Sequence, residues 1–264
     1  MAPLRLGRLW LPLPVGKTIG SAIESGELIK TIETRINERS TMRAKMRVSA
    51  LNLMDVLNQP SHHYILQQFH KKKYRKGDRV SSPHMHSNEV LIVSSGQLRV
   101  FLSYAEREFT LYYLESGDIF STHTRAYINA VKESVILTLP TRIFHQLLIT
   151  CPEMGLQMTG ILGDMLGSSW DIIESITFHD ARTRLIDFIV SQGKERGVVT
   201  ETGTEFECDL TMEEISLIIG STRQTTSSLF NVLIKDGDIL RTGKNKYVIG
   251  DITALSARLA EYKS

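Results

Sequence analysis

The most informative stretch of this chain is Thr211-Met-Glu-Glu-Ile-Ser-Leu-Ile-Ile-Gly-Ser-Thr-Arg-Gln-Thr-Thr226. Thr211 and Glu214 have the spacing of a capping box, in which each side chain satisfies a free backbone N–H at the start of a helix. Gly220 predicts a break, and the segment 221–224 predicts a second capping box directly after it. Apolar residues follow both boxes at helical spacing. The stretch therefore predicts two short helices joined by a glycine turn, which is a helix-turn-helix.

The second predicted helix carries side chains suited to DNA. Residues at the start of a recognition helix enter the major groove. There the fork of Arg223 matches guanine, and the amide of Gln224 matches adenine. The segment Arg241–Ile249 predicts a β-hairpin that would form a wing beside this helix. The side chains suited to phosphates are Ser221, Thr225, Lys244 and Lys246. The predicted DNA-binding set is completed by Thr222 and Ser228.

Charge supports DNA binding only locally. The whole chain has a formal net charge of +2. Residues 180–264 contain eleven Lys and Arg against thirteen Asp and Glu, whereas residues 221–247 contain five against two. The sequence therefore predicts a basic surface confined to the recognition helix and the wing. A helix pair used only for protein contact is the alternative.

Upstream, from about Tyr74 to Leu139, the chain has a β-rich pattern. Short runs of apolar and β-branched residues recur between turn signals such as Ser95-Gly96 and Ser116-Gly117-Asp118. The predicted strands are Glu89–Ser94, Gln97–Leu102, Glu108–Leu114 and Ser134–Leu139. Evenly spaced short strands with glycine turns are typical of an antiparallel sandwich or barrel.

From Pro152 to Phe178 the period becomes helical. Residues at steps of three and four form a heptad seam, namely Gly155, Met158, Leu162, Met165, Ser169, Ile172 and Ile176. Such a seam favours a parallel homodimer with this helix at its axis, and an ordinary core helix is the alternative. Asp180 then predicts the cap of another helix, so residues 178–180 are a predicted hinge.

Composition excludes several classes of protein. Two cysteines, Cys151 and Cys208, are too few for a disulfide framework or a four-cysteine iron–sulfur cluster. No run approaches the ~18 apolar residues that a membrane helix needs. The proline-containing start, residues 1–14, has no continuous apolar core of a signal peptide. We therefore expect a cytoplasmic protein with no membrane partner.

The order of β-domain, long helix and winged helix-turn-helix resembles the CRP/FNR family of transcription regulators. Within it the chain resembles the carbon-monoxide-sensing heme regulators of the CooA type. The residues that carry the resemblance are Glu108-Phe-Thr-Leu111, Leu114-Glu-Ser-Gly-Asp-Ile-Phe120, Thr122-His-Thr-Arg-Ala126, Ile161-Leu-Gly163, Phe178-His-Asp180 and Gly220–Thr226. The resemblance implies an α+β fold with an N-terminal antiparallel β-roll of the cyclic-nucleotide-binding type. It also implies four segments: 1–41 as an extension or mis-called start, 42–151 as the heme-binding β-roll, 152–179 as dimerisation helix and hinge, and 180–264 as the DNA-binding domain.

The resemblance further implies heme b as cofactor. His123 stands at the position of the family's proximal histidine, and imidazole is a good axial ligand for iron. Heme-sensing relatives have cysteine where this chain has Ser121, and a hydroxyl is a poor substitute for a soft thiolate. We therefore expect no thiolate-ligated ferric state. The gas pocket that the resemblance implies on the long helix is lined by Met158, Thr159, Leu162, Gly163 and Leu166.

The second axial ligand stays open. In the family it is the α-amino nitrogen of the partner subunit's N-terminus. The family's short start aligns at Met42, which leaves residues 1–41 as extra; Met46 is an alternative start. His84 and His86 are further candidates, and ordinary solvent-exposed loop histidines are the competing interpretation.

The function implied is a gas-responsive regulator, an activator, that binds palindromic double-stranded DNA, contacts RNA polymerase and responds to carbon monoxide. One alternative is a CRP-type regulator that binds a cyclic nucleotide or another small effector. Gly117-Asp118 and Arg125-Ala126 faintly echo its phosphate cassette but lie too close together. A heme regulator of nitric oxide or redox state is another alternative. An enzyme is not expected, because no acid–base groups converge and the helix-turn-helix would be unexplained.

Overall fold

The computed structural model describes residues 54, 57, 58 and 63–261, apart from 84, 86 and 87. The first half contains α1 (His63–Leu66), β1 (His70–Tyr74), β2 (Arg79–Ser81), β3 (Glu89–Ser95), β4 (Leu98–Tyr104), β5 (Arg107–Leu114), β6 (Ile119–Ser121), β7 (Tyr127–Ala130), β8 (Ser134–Pro140) and α2 (Thr141–Thr150). The second half contains α3 (Pro152–Phe178), α4 (Ala181–Arg196), β9 (Val198–Thr200), β10 (Gly203–Glu207), α5 (Met212–Ile219), α6 (Arg223–Lys235), β11 (Ile239–Gly243), β12 (Lys246–Ile249) and α7 (Ile252–Glu261). None of the helices in this described part has the length and apolar run needed to cross a membrane.

Strands β1–β8 form two four-stranded antiparallel sheets, which together we call the β-roll. Their strand orders are β1-β8-β3-β6 and β2-β7-β4-β5. Leu91 and Val93 of β3 meet Leu98 and Val100 of β4 in the core between the sheets. The predicted antiparallel β-domain is confirmed, and each of the four predicted strands lies within two residues of an observed one.

Strand β3 is buried on both faces, because helices cover its outer side. Val90 and Ile92 point away from the inter-sheet core and pack with Phe144 of α2 and with Met154 and Ile161 of α3. This second apolar cluster attaches the start of α3 firmly to the β-roll. The two faces of β3 together explain its unbroken run of apolar residues.

Helix α3 covers the predicted range, but its two faces differ from the prediction. Met158, Met165 and Ile172, which were assigned to the dimer seam, pack against the β-roll of the same chain. The less covered heptad face contains Thr159, Leu162, Leu166, Ile173 and Ile176, which are exposed, and Gly155 and Ser169, which are partly buried. Both sets repeat at steps of three and four, so periodicity alone did not separate them. Four of the seven predicted seam positions lie on this face, and each of the other three lies one residue before an exposed position of it.

The C-terminal domain packs four helices against a small sheet with strand order β11-β12-β10-β9. Leu185 and Ile189 of α4, Phe230 and Leu233 of α6 and Ile249 of β12 form the centre of its core. Strands β11 and β12 are the predicted wing. The domain is thus a helix-turn-helix with a β-hairpin beside it, as the sequence indicates.

The first capping box is confirmed, and the second is wrong by one residue. Thr211 accepts from the backbone N–H of Glu214, whose carboxylate accepts from the N–H of Thr211 at 2.8 Å. At the second helix the N-cap is Thr222, which accepts from the N–H of Thr225 at 3.1 Å. Ser221 is used differently, since its N–H donates to Ser216 O at 2.9 Å and closes the end of α5.

Candidate DNA-binding and effector sites

The first turn of α6 presents the predicted base-contacting side chains to solvent. Arg223 and Gln224 occupy the first two helical positions, and both are exposed. Thr222 and Thr225 join their hydroxyl groups at 2.9 Å. The Thr222 hydroxyl thus caps the helix, and the remaining N–H groups at this helix end are available to a phosphate. Helix α6 therefore offers a guanidinium, an amide and a positive helix end on one surface.

The remaining predicted DNA contacts lie on α6 and on the tip of the wing. Ser228, Lys244 and Lys246 are exposed, and Ser221 is partly exposed. Asn245 between the two lysines adopts φ +62°, and its side-chain amide donates to Asp209 at 3.2 Å. Its carbonyl oxygen also accepts from the N–H of Cys208 at 2.9 Å. These bonds fix the tip of the wing to the segment before α5.

An aromatic contact sets the position of α6 relative to the wing. The ring of Phe230 meets the ring of Tyr247 edge-on, with centroids 5.2 Å apart. Phe206 also packs on Tyr247, with ring centroids 5.7 Å apart. Three buried rings therefore join helix α6 to the sheet that contains the wing lysines.

Arg184, which the sequence interpretation did not single out, connects the hinge to the helix-turn-helix. Its guanidinium donates to the carbonyl oxygen of His179 at 2.5 Å, of Ile219 at 2.7 Å and of Gly220 at 3.5 Å. Burial lowers the pKa of Arg184, and the nearby charge of Asp180 opposes that shift. An arginine at the start of a helix gives no sequence signal for such a role.

The helix-turn-helix also contacts the β-roll of its own chain. Gly220 has φ +65°, and a Cβ there would lie 3.0 Å from Cε2 and 3.1 Å from Cδ2 of Phe109 on β5. In the first turn of α5, the charge of Glu214 raises the pKa of Tyr113 on β5, although burial is the main cause of that pKa of about 12. Arg99 has the opposite effect on Tyr113. No pattern in the sequence predicts this contact, because its two sides are far apart along the chain.

His123 lies in the turn after β6 and is exposed. Its Nδ1 forms a short hydrogen bond with Oγ of Ser121. Thr122 between them is buried. Its hydroxyl oxygen accepts a hydrogen bond from the backbone N–H of Glu89, and the same hydroxyl donates to the backbone carbonyl oxygen of Glu89. Among the described residues, Nε2 of His123 has no hydrogen-bond partner. The ring is thus oriented through one nitrogen, and the other is available to a metal, an arrangement common for metal-binding histidines.

The predicted pocket residues on α3 belong mostly to one surface. Thr159, Leu162, Gly163 and Leu166 lie on its exposed side, and a Cβ at Gly163 would meet open space. Met158 is the exception, since it packs partly buried against the helix-covered core. Two leucines of this exposed side lie beside a glycine with open space around it, so a ligand or a second helix can approach the helix backbone closely there.

A chain of contacts links the strand before His123 to α3. Phe120 at the centre of β6 stacks at a tilt on Tyr112 of β5, with ring centroids 6.5 Å apart. The Tyr112 hydroxyl then bonds Oγ of Ser169 on α3 at 2.8 Å. Burial raises the pKa of Tyr112, so this hydroxyl stays protonated and able to donate. The strand before His123 and the side of α3 that faces the β-roll are therefore parts of one packed unit.

The candidates for a second axial ligand lie outside the described residues. These are the N-terminal amine, with the starts at Met1, Met42 or Met46, and the loop residues His84 and His86. The two cysteines are both described and both buried, Cys151 beside α2 and Cys208 in the C-terminal core. Burial raises the pKa of Cys208.

Comparison with known proteins identifies the architecture. Residues 183–258 match the family model of the Crp-like helix-turn-helix domain. A structure of a CooA mutant from Carboxydothermus hydrogenoformans is 37% identical, with a TM-score of 0.76, and the alignment covers 81% of this chain and 99% of that one. Electron transport regulator A of Shewanella oneidensis is 22% identical over 68% of this chain and 74% of its own length.

Another relative matches over a shorter part of this chain. The Global nitrogen regulator of Synechocystis sp. is 27% identical over 46% of this chain, which spans 53% of that protein's length. The relatives named by function are regulators, and the match to CooA extends across the β-roll, the long helix and the winged domain. The chain belongs to the CRP/FNR family of DNA-binding transcription regulators.

Proposed function

We propose that this chain is a homodimeric, heme-based sensor of carbon monoxide that controls transcription from palindromic DNA. The observation that carries the proposal is His123, whose Nδ1 is bonded by Ser121 and whose Nε2 is left available beside a β-roll packed on α3. The 37% identity to CooA over most of the chain supports the same ligand chemistry. We assign the heme-binding unit to residues 42–151, the dimerisation helix and hinge to 152–179, and the DNA-binding domain to 180–264.

The residues present fit a heme b. Imidazole is a common axial ligand, and the bond to Ser121 fixes the ring. A ferrous heme supplies an iron site that binds a neutral diatomic gas. Leu162, Gly163 and Leu166 of α3, with Thr159 beside them, would offer a largely apolar surface to the bound gas, which favours a neutral gas over charged ligands. Ser121 and the burial of both cysteines argue against thiolate ligation in the oxidised state.

The exposed face of α3 fits a second role, the dimer axis. Leu162, Leu166 and Ile173 are each more than half exposed in the single chain and lie on one heptad stripe. Such a stripe is the pattern of a two-stranded parallel coiled coil. A parallel dimer presents two α6 helices on the same side, as a palindromic site with half-sites about one DNA turn apart requires. One surface of α3 would thus serve both gas and partner helix.

Regulation follows from this shared surface. An effector shifts the balance between two arrangements of the dimer only if it binds one of them more tightly, and ~1.4 kcal/mol of preference gives a tenfold shift. A ligand against α3 acts on the pairing of the two helices, and the hinge carries the change to α6. Activation through contact with RNA polymerase is part of the proposal and follows the resemblance to this branch of the family.

Two alternatives use the same fold. A cyclic-nucleotide-binding regulator is less favoured, because Asp118 Oδ2 accepts from the N–H of Glu115 at 2.7 Å and so takes part in its own turn. A heme regulator of nitric oxide or redox state would share His123 and differ only in ligand preference.

An absorption spectrum tests the proposal directly. The full-length protein, reduced with dithionite, is measured before and after addition of carbon monoxide, beside His123→Ala and the control His145→Ala on the exposed surface of α2. We expect a Soret band that shifts with the gas, is altered in His123→Ala and is unchanged in His145→Ala. A protein that remains free of heme after reconstitution would contradict heme sensing and leave a CRP-type regulator with another effector. A gas-dependent band unaffected by His123→Ala would contradict the ligand assignment.

A further inference from the structure

We infer that Phe109 and Arg184 are positioning residues for DNA binding, which hold the turn of the helix-turn-helix from two sides and so set the direction of the recognition helix. The inference rests on the dimeric function proposed above. The β-roll and the DNA-binding domain are joined through α3 and the hinge. The contact at strand β5 is a second connection between them.

On the side of the hinge, the turn is held by hydrogen bonds from Arg184 to backbone carbonyl groups. Helix α5 ends at Ile219, and its last carbonyl groups have no partner within the helix. Arg184 donates to Ile219 O through Nε and to the hinge carbonyl of His179 through Nη1. One guanidinium therefore joins the end of α3 to the end of α5. Because the fork of arginine is rigid, it fixes an angle as well as a distance.

On the side of the β-roll, the turn is held by an aromatic contact from Phe109. Phe109 is half-buried on β5, and its ring edge approaches Gly220 so closely that a methyl group there would be in tight contact with Cε2 and Cδ2. Gly220 is also required by its left-handed backbone, which favours glycine. Glu214 and Tyr113 lie on the same interface, close enough for the carboxylate to affect the phenol. The contact thus extends from the first turn of α5 to the glycine turn.

The contacts of Phe109 and Arg184 can affect DNA binding because they lie directly before the recognition helix. Ser221 and Thr222 follow Gly220 directly, and Thr222 caps α6. A shift of Gly220 relative to the β-roll and the hinge therefore changes the direction in which Arg223 and Gln224 point. In a dimer, two such directions must agree with the spacing of two half-sites on the duplex. Loss of these two contacts should therefore weaken the dependence of DNA affinity on half-site spacing.

The test is the dependence of affinity on half-site spacing. A palindromic site is first selected from random duplexes with wild-type protein, and duplexes with one or two base pairs added or removed at its centre are then prepared. Binding of full-length wild type, Phe109→Ala, Arg184→Gln and Arg184→Lys is measured by fluorescence anisotropy on each duplex. The matched control is Tyr104→Ala, an aromatic residue of the same β4–β5 hairpin that is 86% exposed.

We expect Phe109→Ala and Arg184→Gln to reduce the ratio of affinities between the best and the altered spacings by about tenfold, while binding to a single half-site changes little. Tyr104→Ala keeps the wild-type ratio, and Arg184→Lys keeps part of it. Equal weakening on all spacings would show a merely structural role and overturn the inference, as would an unchanged ratio. A wild-type protein with no spacing preference would instead contradict the proposed dimer.

Discussion

The DNA-binding site and the proposed effector site are built in different ways. Residues 221–228 are consecutive, and hydrogen bonds within the same stretch orient them. The proposed effector site combines His123, in a turn after β6, with residues of α3, and these two segments are connected through the packing of Phe120 on Tyr112 and the bond from Tyr112 to Ser169. A contiguous site depends on local caps, whereas an assembled site depends on packing. Substitutions should therefore damage the two sites separately, except on α3, to which we assign both the dimer surface and the effector surface.

The largest effect is expected on the shared face of α3. Leu166→Glu places a charge on the heptad stripe of each subunit and removes two leucines from the dimer. Since a buried leucine contributes ~2 kcal/mol, the dimer dissociation constant should rise roughly a thousandfold, with loss of operator binding. Sedimentation equilibrium measures this change.

The control for the dimer face is Leu156→Glu. Leu156 is 61% exposed, slightly more than Leu166 at 52%, but lies off the stripe. It should leave the dimer intact. If both variants dissociate alike, the exposed heptad face is not the dimer axis.

The second-largest effect is expected from a substitution that should affect DNA binding alone. Arg223→Ala removes one bidentate base contact from each half-site, and such a contact is worth ~1–3 kcal/mol, so operator affinity should fall on the order of 100-fold. The response to carbon monoxide should remain. Lys246→Ala is the comparison, because a phosphate contact should weaken all sequences equally and reduce the salt dependence. A gas response lost with Arg223 would contradict the separation of the two sites.

A smaller effect is expected on heme binding alone. Ser121→Ala removes the hydrogen bond to Nδ1 of His123, and loss of such an orienting bond typically costs about 10–100-fold in metal affinity. Competition with apomyoglobin measures heme affinity. Ser116→Ala, which removes a serine bonded to Ser94 O in a neighbouring turn, should have no effect on it. Equal heme affinity in wild type and Ser121→Ala would show that Ser121 does not orient the ligand.

The smallest effect concerns the cap between the two regions. The hydrogen bond from the N–H of Thr183 is the main cause that lowers the pKa of Asp180 below its ordinary 3.8. A lowered carboxyl pKa means that this stabilisation is present above about pH 4 and is lost as the pH falls through the folded-state pKa. Asp180→Ala should reduce the free energy of unfolding by about 1 kcal/mol at pH 7, with a smaller difference towards pH 3.

Urea unfolding between pH 3 and pH 7 measures the effect of the cap. Asp180→Asn, which retains an acceptor oxygen, should stay near wild type at pH 7. A loss in Asp180→Ala that does not depend on pH would mean that the charged cap is not the cause.

Most of the DNA-binding site could be predicted because its signals are local. The capping box at Thr211, the break at Gly220 and the wing lysines all follow from neighbouring residues. The one error, Ser221 instead of Thr222 as N-cap, arose because Ser221 N–H is used by the end of the previous helix. Two adjacent hydroxyl residues compete for one role, and the closure of α5 decides between them.

The effector region could be predicted less completely. The motif around His123 indicated the ligand, but not that Ser121 would bond its ring. On α3, the apolar residues have heptad spacing on both faces. Which set faces the β-roll depends on where Met158 and Met165 find apolar neighbours on the sheets and helices. Phe109 and Arg184 gave no signal, because Phe109 contacts a glycine that is distant along the chain and Arg184 bonds backbone carbonyl groups, two of them more than thirty residues away.

The sequence by itself determined the order of elements and the helix-turn-helix with its wing, and it predicts the base-contacting residues and the histidine ligand, since each depends on short-range spacing and side-chain chemistry. Tertiary structure alone decided which face of α3 is free, which hydroxyl caps α6, and that the turn at Gly220 touches both hinge and β-roll. These features depend on contacts between segments that are distant along the chain. Their energies become favourable only after both segments are folded and packed.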